Sequence, residues 1–147
     1  MDYEKAFNQY NRSSIETAGK LDLIIMCYER AILFIRQAKD NLRNGETEKK
    51  AYKIQKVLDI VNELQASLNF DKGGIIAKNL DSLYSYITKR VILADIQKNY
   101  NIFDECINIL TELKSAWEGI SEPKIEPAMV NDTAGQEIRR LTHQVAV

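Results

Sequence analysis

The chain has 147 residues, with 20 Lys and Arg against 21 Asp and Glu and a formal net charge of -1. That length suits one domain, and the balanced charge lacks the basic excess of a nucleic-acid binder. The 45% hydrophobic content excludes a fully disordered chain, and six Gly and two Pro are too few for the turns of an all-β fold. A single His and two Cys nearly close off His-rich metal sites and His-based catalytic relays.

The N-terminal sequence Met1-Asp2-Tyr3-Glu4-Lys5 is acidic where a signal peptide needs positive charge, and no apolar core follows it. The longest apolar run, Leu23 to Tyr28, is broken by Glu29 and Arg30, far short of the roughly 20 residues of a membrane span. The expected location is the cytoplasm. Cys27 and Cys106 lie within apolar periodic segments and read as buried, reduced thiols.

Residues 1–16 read as a polar arm with apolar anchors at Tyr3, Phe7, Tyr10 and Ile15. Thr17 offers an N-cap hydroxyl to a helix over about 17–43. Its stripe is Ile24, Cys27, Ala31, Phe34, Ala38 and Leu42, and a second stripe (Ile25, Tyr28, Ile32, Ile35) lies beside it. So broad an apolar face packs against more than one neighbour. Asn44-Gly45 closes this helix.

A second helix, about 47–69, faces inward through Ile54, Val57, Leu58, Val61, Leu64 and Leu68. Asp71-Lys72-Gly73-Gly74 reads as a breaker. A third helix, about 75–98, follows Ile76, Leu80, Leu83, Ile87, Val91 and Ala94. Asn101 is positioned to cap a fourth, about 101–118, with the stripe Phe103, Cys106, Leu110, Leu113 and Trp117. Gly119 and Pro123 end it, and residues 119–147 read as a tail in which Ile138, Leu141 and Val145 share one side. Short connections force antiparallel neighbours. The expected fold is all-α: an antiparallel up-down four-helix bundle over 17–118, between an N-terminal arm and a C-terminal tail.

Chemistry common in such bundles is missing. A di-iron site needs Glu-x-x-His on two helices, and a phosphotransfer domain needs a mid-helix His. The one histidine, His143, sits in the tail. Gly73-Gly74 lacks the spacing and the Lys-Ser/Thr of a phosphate loop. No catalytic residue, metal site or cofactor is expected, and function is sought in binding a partner through apolar surface. Tyr84, Tyr86 and Tyr100 supply amphipathic rings, half-buried alone and fully buried against a partner.

Three stretches carry more than a generic bundle needs: Tyr10 to Ala18 with Leu23 to Phe34; Ile60 to Asn69 with Gly73 to Leu80; and Leu83-Tyr84-Ser85-Tyr86, Ala94-Asp95 and Leu110 to Trp117. Their order and spacing resemble the FliS family of flagellar export chaperones, across roughly residues 10–117. The family's Thr-Ala-Ser-Pro is Thr17-Ala18-Gly19-Lys20 here, its Asp-Gly after the helical Tyr is Glu29-Arg30, and its Ala-Asn is Ala94-Asp95.

The resemblance implies a non-enzymatic cytosolic chaperone. It would bind the disordered C-terminal segment of flagellin, prevent premature polymerisation and deliver it to the cytosolic domain of the export gate. An anti-sigma factor and a flagellin-assembly regulator are further implied partners, with no nucleic acid and no membrane insertion. It maps the family's functional Tyr onto Tyr10; the client-binding or cap candidates are Tyr10, Ile15, Thr17, Ala18, Tyr28, Tyr84 and Tyr86, and the arm over residues 1–16 is expected to act as a displaceable cap over an apolar groove. A generic adaptor for another amphipathic peptide is the alternative.

Overall fold

The computed structural model describes residues 19–120. Among them are four helices: α1 (Lys20–Arg43), α2 (Thr47–Ala66), α3 (Phe70–Gln97) and α4 (Tyr100–Glu118). Each packs on its chain neighbours, and α1 also packs on α4, closing a four-membered ring. Lateral pairs set the directions. Lys50 near the start of α2 meets Asp95 near the end of α3 (2.6 Å), and Lys39 late in α1 meets Asp104 early in α4 (2.6 Å). Neighbours are therefore antiparallel, as the short connections require.

The core follows the apolar stripes. Ile24, Cys27, Tyr28, Ala31, Ile35 and Ala38 of α1 are buried, and both of its stripes are used because α1 touches two neighbours. Val57, Val61 and Leu64 of α2 meet Ala77, Ile87 and Val91 of α3 and Phe103, Cys106 and Leu110 of α4 in one cluster. Both cysteines are buried and in no disulfide, and burial pushes the Cys106 thiol up to about 12.

The helix starts differ from the sequence expectation. Gly19, extended at φ -75 and ψ 175, is the N-cap of α1, which begins at Lys20; the expected cap, Thr17, lies outside the described residues. Among the described residues no side chain caps α1, and Gly19-Lys20 lacks the rigid Ser-Pro start of the family pattern. Asn99, not Asn101, caps α4: its Oδ1 accepts from the Asn101 and Ile102 amides at 3.0 and 3.3 Å. An Asn two positions earlier reaches the orphan amides that Asn101, already in the helix, leaves open.

The breaker segment is also more ordered than expected. Asn69 Oδ1 accepts from the Lys72 amide at 3.1 Å, and a first turn runs from Phe70. Gly74, at φ 54 and ψ -130, then kinks the chain, a conformation that side chains strongly disfavour. The kink sets the phase of the rest of α3. Ala77, Leu80, Tyr84, Ile87, Val91 and Ala94 face inward, while Ile76, expected in the core, is 49% exposed.

Candidate functional site

Two features stand out, one inside the bundle and one on its surface. Inside, Tyr28 of α1, Tyr84 of α3 and Trp117 of α4 join three helices. The Trp117 indole Nε1 donates to Tyr28 Oη at 3.0 Å, and Tyr28 Oη shares a short 2.5 Å bond with Tyr84 Oη. All three side chains are buried. Burial pushes the Tyr28 phenol up to about 12 and that of Tyr84 well above its ordinary value. These hydroxyls are structural: they satisfy one another in a water-poor core and fix how α1, α3 and α4 meet. Tyr84 is thus no half-buried ring awaiting a partner: it is 2% exposed and its hydroxyl is bonded to Tyr28.

On the surface, α3 and α4 frame an apolar strip. At one end, the Tyr86 hydroxyl donates to Glu105 Oε2 at 2.6 Å and Arg90 Nε donates to Glu105 Oε1 at 2.8 Å. The hydrogen bond from Tyr86, then that from Arg90, holds the Glu105 carboxyl below the usual range. Leu83, three residues before Tyr86, and Ile109, four residues after Glu105, lie on the same sides of their helices as this linkage, and Ile76 stands two turns before Leu83 on α3. Leu83, Ile109 and Leu113 are only partly buried, and Ile75 and Ile76 are 69% and 49% exposed. Phe70 is exposed and Ile120 partly buried at the same end. The strip is thus several turns long, apolar along its floor and polar at one end.

Of the residues singled out in the sequence, Tyr28 and Tyr84 are brought together in the core, and Tyr86 stands at the head of the strip, 42% exposed. Tyr100, 36% exposed, lies at the far end of the bundle under the Arg43 guanidinium, 5.2 Å from its ring centre. Tyr10, Ile15, Thr17 and Ala18 lie outside the described residues. Sequence reasoning missed Ile109, Arg90 and Glu105. Ile109 with Leu113, an i,i+4 pair beside the main α4 stripe, was the available signal. Among the described residues no group of His, Cys, Asp or Glu could hold a metal, and no helix is long and apolar enough to cross a membrane.

A ring of four helices is also the fold of a solved crystal structure of a bacterial flagellar chaperone. That structure aligns at a TM-score of 0.65, covering 78% of this chain and 94% of the other, and at 23% identity the likeness is one of fold. The sequence carries the assignment further. Residues 3–124 match the family model described as flagellar protein FliS. Flagellar secretion chaperone FliSB of Pseudomonas aeruginosa is 32% identical over 121 residues, spanning 80% of this chain and 96% of that protein. The FliS chaperones of Vibrio cholerae and Campylobacter jejuni are 32% and 33% identical over 84% and 82% of this chain, covering 88% and 94% of their own lengths. The chain belongs to the FliS family of flagellar secretion chaperones, which are not enzymes.

Proposed function

We propose that this chain is a cytoplasmic export chaperone that holds the disordered C-terminal segment of flagellin on the α3–α4 strip. The observation that carries this reading is the apolar surface left on two neighbouring helices, exposed Ile75 and Ile76 and partly buried Leu83 on α3 with partly buried Ile109 and Leu113 on α4, in a member of a secretion-chaperone family. A disordered amphipathic client loses chain entropy on ordering, so it needs long apolar contact. The strip supplies that contact, and its polar end, Tyr86, Glu105 and Arg90, offers hydrogen bonds that fix the register of a bound helix or extended segment. The buried Tyr28–Tyr84–Trp117 linkage keeps the two strip helices from spreading.

Covering that segment denies flagellin the helical contacts it uses to polymerise, and the loaded complex is the form handed to the export gate. Seeded flagellin polymerisation followed by light scattering tests this. Equimolar chaperone should suppress elongation, and the Ile76→Asp chain should suppress it less. Unchanged elongation with the native chaperone would remove the reading.

A further inference from the structure

We propose that the groove between α1 and α2 is a second docking surface, and that its occupant is an acidic peptide segment of a partner protein carrying an apolar anchor. In the ring of four helices this groove lies on the side opposite the α3–α4 strip. Lys49, Lys53 and Lys56 stand at i, i+4 and i+7 on one face of α2, and like charges at that spacing cost a helix stability. Neighbouring charges neutralise only part of the set. Lys49 pairs with Glu46 at 3.2 Å, and Asp40 of α1 pairs with Arg43 at 3.4 Å. Among the described residues neither Lys53 nor Lys56 has a carboxylate partner; both sit on neutral groups instead. Lys53 Nζ donates to Gln37 Oε1 at 2.8 Å and lies 5.6 Å from the centre of the Phe34 ring, and Lys56 Nζ lies 5.2 Å from that of Tyr52.

Neutral partners position both ammonium groups and leave their charge uncompensated. An ammonium has three donors, and Gln37 takes one of those on Lys53. Both lysines are half-buried, so a carboxylate that meets them makes a stronger bond than it would in open water. Apolar area lies beside them: Tyr52 is 52% exposed, and Leu33, one turn before Gln37 on α1, is 40% exposed. Gln37, Lys49, Tyr52 and Lys53 line an open cleft of about 690 Å³, with room for several side chains. Asp40 and Glu48 stand in the wall of the same cleft. Those carboxylates oppose a continuous polyanion such as RNA or an anionic bilayer, as does the net charge of -1. A peptide can set one or two carboxylates on Lys53 and Lys56 and keep the rest of its length apolar or neutral. A chain holding its client on the strip keeps this groove open, and only this consequence rests on the client reading.

The test is fluorescence anisotropy with the full chain and a labelled helical peptide of about four turns, carrying Glu at i and i+3 and Leu at i+4 and i+7. A twin peptide has Gln in place of each Glu. The native chain should bind the Glu peptide about tenfold more tightly than its twin, and the preference should fade between about 0.05 and 0.5 M salt. Lys53→Gln/Lys56→Gln should abolish the preference, and Lys53→Arg/Lys56→Arg, which keeps both charges, should retain it. Leu33→Ser should weaken both peptides alike. Lys89→Gln on α3 and Ile76→Asp on the strip should leave binding as in the native chain. Equal binding of the two peptides by the native chain, or a preference that survives Lys53→Gln/Lys56→Gln, overturns the proposal. So does tighter lysine-dependent binding of a single-stranded RNA or of phosphatidylglycerol vesicles, or a loss confined to Ile76→Asp. A retained, lysine-dependent preference in a chain that binds no flagellin keeps this surface and removes the client reading instead.

Discussion

Replacing Tyr28 with Phe should cost far more stability than replacing Tyr84, although the two tyrosines share one hydrogen bond. Both substitutions keep the ring and its packing, so the difference is polar. Tyr28 Oη is the middle member: it accepts from Trp117 Nε1 at 3.0 Å and is bonded to Tyr84 Oη at 2.5 Å. Its loss leaves two buried groups, the indole N–H and the Tyr84 hydroxyl, without partners. Each unsatisfied group costs about 1–3 kcal/mol, so Tyr28→Phe should lose about 2–6 kcal/mol, a large share of a domain's total. Tyr84→Phe removes only the end of the chain of bonds and leaves the Trp117–Tyr28 bond intact, a loss of about 0.5–1.5 kcal/mol. In the double variant only the indole is stranded, so it should be no less stable than Tyr28→Phe alone. Trp117 is the chain's one tryptophan, and its fluorescence follows urea unfolding of the network directly. A Tyr84→Phe loss equal to that of Tyr28→Phe, or additive losses in the double variant, would show that Tyr28 is not the hub of the network.

Further expectations rest on single features. Gly74→Ala should destabilise by about 1–3 kcal/mol in thermal unfolding, because φ 54 with ψ -130 is open to glycine and not to alanine. Lys98 closes α3 at φ 51 and ψ 46, so Lys98→Gly should stabilise by about 1 kcal/mol by relieving a left-handed side-chain residue. Stability should be flat through neutral pH and fall as pH rises from 9 toward 12. Cys106, Tyr28 and Tyr84 have folded pKa values raised above their unfolded ones, so the unfolded chain loses these protons first, and each such group steepens the fall by about 1.4 kcal/mol per pH unit. Urea midpoints at pH 7, 9 and 11 check this. A midpoint that rises between pH 9 and 11 would run against it.

The bundle was legible because its stripes are clean. The α4 series from Phe103 to Trp117 and the α2 series from Ile54 to Leu64 each have one dominant phase, and burial follows it. Local exceptions came from backbone chemistry that composition does not rank. Two asparagines stand near the start of α4, and only the geometry of the turn makes Asn99 the cap. Gly73-Gly74 signals a break but not that a helical turn precedes it, so the phase of Ile76 could not be read. The site was less legible because it depends on which helices meet. Tyr84 and Tyr86 are two positions apart in sequence and both amphipathic. One is buried because Tyr28 and Trp117 arrive from α1 and α4, and the other is held at the surface by Glu105 of α4. Such pairings are set by ring closure of the bundle, which no local spacing records.

Whether the α3–α4 strip receives the flagellin C-terminal segment can be decided by isothermal titration. That peptide is titrated into the native chain and into the Ile76→Asp and Ile96→Asp variants. Ile76 lies on the strip, and Ile96, 73% exposed, lies on another face of the same helix. Losing about half the burial of an isoleucine, roughly 1 kcal/mol, and adding a charge that must be desolvated should weaken Ile76→Asp by at least about tenfold. Ile96→Asp should bind like the native chain. Equal binding by all three proteins, or a loss confined to Ile96→Asp, would place the client elsewhere.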